Sequence, residues 1–367
     1  MKNVTNGKYS TISFVDDSQC IEDFIALPKK LYTAKTNPQN SGEERQLISG
    51  THALSKYFRF VPFILHKDGI TIGRAALTFY PDQPETAYLG FFEMENEKQA
   101  AAHFFCALER FAIREGYAKI LGPMNASFWL GYRMKADRFE DAPYFGEPNN
   151  LPYYVDLWRE NGYFTSEEYI SNHYNPLSPG AYKNIRYEKR LQAFLAKGCT
   201  IRPPKKESWD TVIRDVYRLT SQLYSGFPTF SLISEDDFLR NYSGLKLILD
   251  FSVCRLAYHN GQAVAFAITV PDYGNMLNNI SIWKLPKMLW TRKHAKRHVV
   301  LYVGVMPEHK GLGVALAQEL IQELSKKNTV PIGALIHKGK VTGGYASDFI
   351  RYQSTYLLLE KDLSDIE

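Results

Sequence analysis

The chain has 367 residues, of which 45% are hydrophobic, 14% aromatic and 23% charged, which is typical of a globular protein and excludes a disordered or fibrous one. The net charge is +5, but Trp283–His298 alone holds six basic residues and no acidic one, so the rest of the chain carries no net positive charge. Nucleic-acid-binding proteins usually build a basic face from several elements, so this pattern argues against nucleic acid as a partner. At roughly 100–200 residues per domain, the length favours two domains.

Neither the apolar stretches nor the cysteines indicate a membrane-spanning or secreted protein. The longest apolar stretches, such as Ala263–Val270, have about eight residues, whereas a membrane span needs about 20. The N-terminal residues contain no apolar core of signal-peptide length, so we expect a cytoplasmic protein without a transmembrane segment. Cys20, Cys106, Cys199 and Cys254 form no C-x-x-C pair and are expected to be reduced packing residues. No pattern specifies an oligomeric state.

The first half of the chain reads as a hairpin followed by a strand–helix–strand unit. Phe58–His66 and Ile70–Tyr80 have strand character and flank an Asp-Gly turn. Tyr88–Glu93 then predicts a strand, Lys98–Glu115 an amphipathic helix and Ala118–Leu121 a second strand. A unit of this length is a βαβ crossover, which requires a parallel or mixed sheet.

The middle of the chain carries a boundary signal. Asn175–Gly180 combines two prolines, a serine and a glycine, and a basic helix over Asn184–Lys197 follows, ended by Gly198. We predict a first domain, a linker with a helix, and a second domain, at residues 1–175, 176–198 and 199–367.

The second half repeats the order of the first. Phe251–His259 and Gln262–Val270 flank an Asn-Gly turn, and Val299–Met306, Leu312–Lys327 and Val330–Ile336 predict strand, helix and strand. A constant offset of 212 residues, without a gap, relates the two units. We therefore predict an α/β (α+β) chain in which each half has a mixed central sheet flanked by helices; two βαβ units that align by chance are the alternative.

The junction of strand and helix in the second half carries the chemistry. It reads VGVMPEHKGLGVA from Val303 to Ala315. Gly311 and Gly313 leave the backbone N–H groups of the first helical turn open to a ligand, and these groups have no partner within the helix. Lys310 and the positive end of the helix dipole add charge, so the loop predicts a phosphate or pyrophosphate site. A glycine-eased turn into a helix is the alternative.

This strand–loop–helix resembles the acetyl-CoA-binding motif of the GCN5-related N-acetyltransferases, the GNAT superfamily. Lys310, Gly313 and Ala315 stand at the defining positions of its Arg/Gln-x-x-Gly-x-Gly/Ala pattern, with Lys keeping the charge. The resemblance covers about Thr200–Leu363 and, because the first half looks similar, implies two tandem acyl-CoA N-acyltransferase-like domains.

The resemblance also implies an activity and its binding residues. An amine, of a small molecule or a peptide, would attack the thioester of acetyl-CoA or another acyl-CoA in the C-terminal domain, without a metal. Backbone groups of one strand would pair with the pantetheine arm, and those of the loop would hold the pyrophosphate. The residues implied are Val303, Gly304, Val305, Lys310, Gly311, Leu312, Gly313, Val314 and Ala315.

The catalytic residues are less well marked. The resemblance implies a tyrosine, in the helix after the fifth strand, that protonates the departing thiolate. Tyr345 fits this spacing better than Tyr352, and the alternative is that both are ordinary surface or packing tyrosines. The Asn usual after that strand is missing, and the sequence there begins with His337. For the base that takes the proton of the amine, His298, Tyr302 and Asp272 are candidates among which the sequence does not choose.

The first half lacks the loop glycines. At the offset of 212, Gln99 and Ala101 replace them, and three glutamates precede the helix, so we predict that this half binds no CoA and forms a wall of the acceptor site or only supports the second domain. Gly122–Ser127 and Tyr144–Tyr154 are rich in aromatic residues, proline and glycine, and either line an acceptor pocket between the halves or are ordinary packed loops.

Ile280–His298 interleaves basic and large apolar residues. It could form a lid that touches a membrane surface or an acidic acceptor, a flap near the CoA phosphates, or a packed helical hairpin with solvated lysines. The histidines show no metal-ligand spacing, and no G-x-S-x-G motif indicates a hydrolase. The alternative functions are a non-enzymatic binding module that retains the CoA fold and a tRNA-dependent aminoacyl transferase of the same fold.

Overall fold

The computed structural model describes residues 3–278 and 282–364; Ile280 and Ser281, at the start of the predicted lid, lie outside the described residues. The described strands are β1 Asn3–Asn6, β2 Tyr9–Ser13, β3 Arg59–Lys67, β4 Ile70–Phe79, β5 Thr86–Met94, β6 Lys119–Gly122, β7 Met134–Lys135, β8 Phe164–Tyr174, β9 Thr200–Arg202, β10 Arg255–His259, β11 Gln262–Pro271, β12 Arg297–Val305, β13 Val330–His337 and β14 Ile350–Asp362. The described helices are α1 Ser18–Leu31, α2 Ser41–Ile48, α3 Lys98–Arg114, α4 Tyr154–Glu160, α5 Ile185–Ala196, α6 Trp209–Leu223, α7 Glu235–Tyr242, α8 Leu245–Ile248, α9 Leu285–His294 and α10 Leu312–Lys327.

All these strands belong to one mixed sheet, in the order β1-β2-β3-β4-β5-β6-β14-β8-β13-β12-β11-β10-β9, with β7 paired to β14. The pairs β5–β6 and β12–β13 are parallel and each is joined by a helix, α3 or α10, so both predicted βαβ units are confirmed. The gap-free offset of 212 residues is wrong at the strand ends. The N–H of Glu95 donates to the carbonyl of Ile72, and at the same place in the second half the N–H of Met306 donates to that of Val264, each over 2.9 Å. Glu95 and Met306 are 211 residues apart.

The last strand of each half lies in the other half of the sheet. β14 pairs with β6, and β8 pairs with β13, while β8 and β14 pair with each other along almost their whole length. Neither half therefore completes its sheet with its own strands. The boundaries at residues 175 and 199 stay predictions, and the hydrogen-bonded sheet runs across them.

Helices cover both faces of this sheet. On one face α3 and α4 form an aromatic core with β4 and β5, and α5 packs beside α10 on the second half. On the other face a single core joins α1 and α2 of the first half to α6 and α7 of the second.

Cys20, Cys199 and Cys254 are buried and all four cysteines are free, as expected. No helix in the described ranges is long and apolar enough to cross a membrane.

Two local expectations were wrong. β10 begins only at Arg255, because Phe251–Val253 forms a 3-10 turn in which the Ser252 N–H donates to the Asp250 carboxylate. The helix implied after β13 is replaced in the described chain by 3-10 turns at Val341–Gly344 and Ser347–Phe349. Three glycines within residues 339–344 and the left-handed backbone of Ala346 (φ 47°) oppose a continuous helix there.

Candidate active site

The two parallel strands of the second βαβ unit separate halfway along their length. The pairing of β12 with β13 begins where Arg297 lies opposite Val330 and ends where Val300 lies opposite Gly333. β12 stays paired to β11 as far as Val305. A bulge in each strand marks the point of separation: Leu301 is left out of the β11 register, and Leu335 has a left-handed backbone (φ 54°). The sheet therefore opens into a wedge at this point.

A cavity of about 500 Å³ occupies this wedge; we call it the splay cavity. Because the N–H of Met306 donates to Val264 on β11, the alternation of backbone groups turns those of Val303 and Val305 towards the open side. The residues that line the cavity include Tyr224, Phe227, Leu301, Val303, Val305, Lys310, Gly311, Gly313, Leu335, His337 and Tyr345. An extended ligand can therefore add to the free edge of β12.

Gly304, predicted to bind the cosubstrate, lines the splay cavity and also has a packing role. Its backbone groups follow those of Met306 towards β11, and a side chain at this position would collide with Phe266 and Leu223. Val303 and Val305, its neighbours, are the residues with backbone groups on the open side. The part of each predicted residue in binding stays a prediction.

The loop before α10 closes one end of the splay cavity. Gly311 has a left-handed backbone (φ 95°), and within the described residues the N–H groups of Leu312 and Gly313 donate to no other group. Lys310 is exposed and forms no ion pair with any described carboxylate. These features, together with the positive end of the α10 dipole, suit a phosphate or pyrophosphate group.

A second cation stands beside this loop. A Cβ atom at Gly311 would lie 3.6 Å from Nη1 of Arg190, which projects from α5 and makes no ion pair with the described residues. The sequence predicted this basic helix after the linker but not its position, because only the packing of α5 on α10 brings Arg190 to the loop.

Tyr345 and Tyr352 lie in different places. The Tyr345 hydroxyl lies against Gly313, where a side chain would collide with it, and burial raises the pKa of Tyr345. Tyr352 stacks on His173, with ring centroids 4.4 Å apart, and does not line the splay cavity. Of the two tyrosines, only Tyr345 reaches the cavity; its catalytic role stays a prediction.

The three candidate bases have other partners or positions. His298 is buried, its Nδ1 lies 2.8 Å from Thr329 Oγ1, and burial lowers its pKa to about 4. Asp272 is paired with Arg297 at 2.5 Å and accepts the N–H of Phe145. Neither residue lines a described cavity, whereas Tyr302 lines a cavity of about 450 Å³ between the two halves.

A histidine that the sequence did not offer as a base reaches the splay cavity. His337, the last residue of β13, places Nε2 2.5 Å from Oε2 of Glu167. Its ring packs edge-on against Tyr169 and Phe227, and its Nδ1 is buried with no hydrogen-bond partner in the described chain. Glu167 belongs to β8, so the exchange of strands creates this pair, and no pattern in the sequence could reveal it.

A second cavity, of about 450 Å³, lies between the two halves; we call it the interface cavity. It meets the splay cavity at Tyr224, Phe227, Leu301 and Leu335, which line both. Its walls include Pro123, Asn125, the stretch from Phe145 to Asn150, and Tyr154. Residues of both aromatic segments therefore line a cavity between the halves, and that this cavity holds the acceptor stays a prediction.

The matching wedge of the first half is filled by the chain itself. Met94, in the place of Val305, donates its N–H to the Tyr154 hydroxyl (3.0 Å), and its carbonyl accepts from Tyr153 (2.8 Å). Trp158, fully buried on the same helix, packs edge-on against Phe92. The backbone edge that is free in β12 is thus occupied in β5.

In its described part the predicted lid forms a 3-10 turn at Ile282–Lys284, the helix α9 and the first two residues of β12, rather than a helical hairpin. Met288 packs into a small cluster with Ile248 and Tyr273, while Trp283 is 86% exposed and Trp290 62% exposed. Asn275 and Asn278, which precede α9 in the chain, line the interface cavity. The helix α9 therefore lies on that side of the molecule and not beside the loop before α10.

Comparison with known proteins places this architecture. The chain matches a tandem GNAT protein from the clavulanic acid biosynthesis pathway with a TM-score of 0.50 and 10% identity, over 98% of this chain and 100% of that one. The chain has the tandem GNAT fold. It also matches a GCN5-related N-acetyltransferase from Anabaena variabilis, with a TM-score of 0.51 and 8% identity, over 96% of this chain and 73% of that one.

The predicted fold class and the resemblance to the GNAT superfamily are confirmed at the level of the fold. The Escherichia coli (strain K12) protein YghO is 21% identical over 326 residues, which are 83% of this chain and 81% of that protein. No family model matches the chain.

Proposed function

We propose that this GNAT-fold protein is an N-acyltransferase that moves an acetyl or other acyl group from acyl-CoA to an amine, with the chemistry in its second half. The observation that carries the proposal is the wedge between β12 and β13, which leaves the edge of β12 free and ends at the basic loop before α10. The free edge suits the pantetheine arm and the loop suits the pyrophosphate. The first half, whose wedge is filled, would hold no CoA.

The reaction would take place where the two cavities meet. An amine in the interface cavity would attack the thioester carbonyl, so that a C–N bond forms and the C–S bond breaks. Backbone N–H groups at the bulge of β12 would stabilise the charge that develops on the carbonyl oxygen. CoA would leave as a thiolate, which Tyr345 would protonate.

His337 would take up the proton that the amine loses. With Nε2–H directed at Glu167, its Nδ1 presents a lone pair, and the carboxylate would stabilise the imidazolium that forms. His337 is not among the three bases that the sequence suggested. Two of those, His298 and Asp272, line neither cavity.

The test is thermal unfolding with and without acetyl-CoA. At about 100 times its dissociation constant, the ligand should stabilise the protein by roughly 2.7 kcal/mol, a shift of about 3–6 °C for a chain of this size. Lys310→Glu should abolish the shift by repelling the phosphates. Gly313 is a poorer target, because a side chain there would also displace Tyr345.

The matched control is Lys98→Glu, at the position 212 residues before Lys310. Lys98 is exposed and paired with Glu160, so its reversal should lower the midpoint of unfolding slightly but leave the acetyl-CoA shift intact. If wild-type protein shows no shift, the proposed function is wrong. If Lys98→Glu abolishes the shift and Lys310→Glu does not, CoA lies in the first half.

A further inference from the structure

An arginine without an anionic partner stands where the acceptor would enter. Arg133 lines the interface cavity beside Tyr224 and Tyr302, and in the described chain it makes no ion pair with any carboxylate. Its Nε is buried and has no hydrogen-bond partner there. An arginine with an unmet buried donor and no ion pair is costly to maintain, and an anion beside the guanidinium would offset that cost.

The position of Arg133 is fixed by its surroundings. The guanidinium lies 3.7 Å from the ring centre of Tyr132 and 4.2 Å from that of Tyr169, and one of its nitrogens bonds the Tyr132 hydroxyl. Its backbone is left-handed (φ 87°), and its N–H donates to Pro123. Stacked arginines of this kind are held in one orientation, ready to bind a planar group.

Of the four glutamates that line the cavity, Glu44, Glu93 and Glu147 are bonded to other groups, whereas Glu43 forms no ion pair in the described chain and burial raises its pKa to about 7. Glu44 forms two hydrogen bonds with Arg74, and Glu147 pairs with Lys135 at 3.0 Å. Glu93 accepts hydrogen bonds from Tyr32 and Tyr154, and burial raises its pKa to about 7. Arg133 is thus the cation of this wall that a bound ligand can neutralise.

We propose that the acceptor is an amine that also carries a carboxylate, such as an amino acid, and that Arg133 binds this carboxylate. The fork of the guanidinium matches a carboxylate in two parallel hydrogen bonds, and a single cation suits a monoanion better than a phosphate dianion. With its carboxylate on Arg133, the acceptor lies in the cavity that meets the splay cavity at Leu301 and Leu335. This inference rests on the proposed function, because it assigns the second substrate of the same site.

The first experiment uses binding, so that it does not depend on finding the true substrate. Thermal unfolding is measured with N-acetyl derivatives of glycine, leucine, phenylalanine and glutamate and with the corresponding C-terminal amides, which lack the α-carboxylate. At least one acid should raise the midpoint of wild-type protein, its amide should not, and Arg133→Gln should lose the shift. The Arg133→Gln protein must still respond to acetyl-CoA, which shows that it is folded.

The second experiment measures thiol release from acetyl-CoA with the free amino acids and their amides. Arg133→Gln should reduce kcat/KM for the amino acid by at least about 30-fold and leave that for the amide unchanged. The matched control is Arg138→Gln, because Arg138 also has a left-handed backbone and stacks on a tyrosine (Tyr352, 3.8 Å) but lies outside both cavities.

The outcomes separate the two proposals. If acetyl-CoA stabilises the protein but no acid does, or if acids and amides act alike, the inference about the carboxylate is wrong and the acyltransferase proposal stands. The carboxylate inference is equally wrong if Arg133→Gln and Arg138→Gln reduce activity equally for amino acid and amide, because that effect would be structural. If acetyl-CoA itself does not bind, the proposed function fails first.

Discussion

His298 and His173 are buried in the sheet with one ring nitrogen of each close to a hydroxyl group. Nδ1 of His298 lies 2.8 Å from Thr329 Oγ1, and Nε2 of His173 lies 3.0 Å from Ser354 Oγ. Burial lowers the pKa of both to about 4. The folded protein therefore keeps them neutral, whereas the unfolded chain protonates them below about pH 6.5.

Stability should consequently fall as the pH drops from about 6.5 towards 4. Between pH 7 and pH 5 each histidine should lower the free energy of unfolding by about 1–2 kcal/mol. Urea unfolding at both pH values checks this, with His298→Gln expected to show a smaller pH dependence than wild type. His294→Gln, at an exposed site on α9, serves as the control and should leave the dependence unchanged.

His337 and Glu167 give a prediction about catalysis. His337→Gln should lower kcat by about 10²–10⁴-fold with little effect on acetyl-CoA binding, because it removes the group that accepts the proton of the amine. Glu167→Gln should lower kcat less, since the imidazole remains but loses the charge that stabilises its protonated form. Steady-state kinetics with acetyl-CoA titrations decide; an unchanged kcat in His337→Gln would exclude this residue as the base.

At the scale of elements, the periodic and glycine-marked segments were predictable. The helix α10 begins and ends at the predicted residues, and the Asp-Gly and Asn-Gly hairpins are present, because local backbone preferences decide them. The wedge could be expected only through the resemblance. The Glu167–His337 pair and the position of Arg190 could not be predicted, because each depends on which strand or helix packs beside which.

The helix α9 stays the element with a predicted membrane contact. Trp283, Leu289 and Trp290 are more than half exposed, and the segment around them carries basic and no acidic residues. Apolar rings beside cationic side chains suit an anionic bilayer surface.

Sedimentation with vesicles tests this contact. Vesicles with about one third phosphatidylserine should bind the protein, and those of phosphatidylcholine alone should bind it much less. The double variant Trp283→Ser/Trp290→Ser should lose the binding. Overall tryptophan emission is a poor readout, because it also contains the signal of Trp158, which is buried in the first half. Equal binding to both vesicle types would remove the electrostatic part of the prediction.

At the scale of the whole molecule, the exchange of β8 and β14 joins the halves more firmly than the linker does. A protease site placed at Pro179–Ala181, an exposed loop between β8 and α5, would separate the two halves of the chain covalently. The two pieces should still elute together in gel filtration, because β8 and β14 remain paired with the opposite piece. They should separate only in denaturant; separation in buffer alone would contradict the observed strand order.

The same exchange orders events during synthesis. The sheet of the first half lacks its inner strand until β14 is made, nearly at the end of the described chain, and β8 must wait for β13. On the ribosome the first half therefore emerges with an open sheet edge, which is a template for pairing with other chains. Slow or interrupted translation should then favour aggregation, and the nascent chain should need a chaperone on the edge of β6 until its own C-terminal strand arrives.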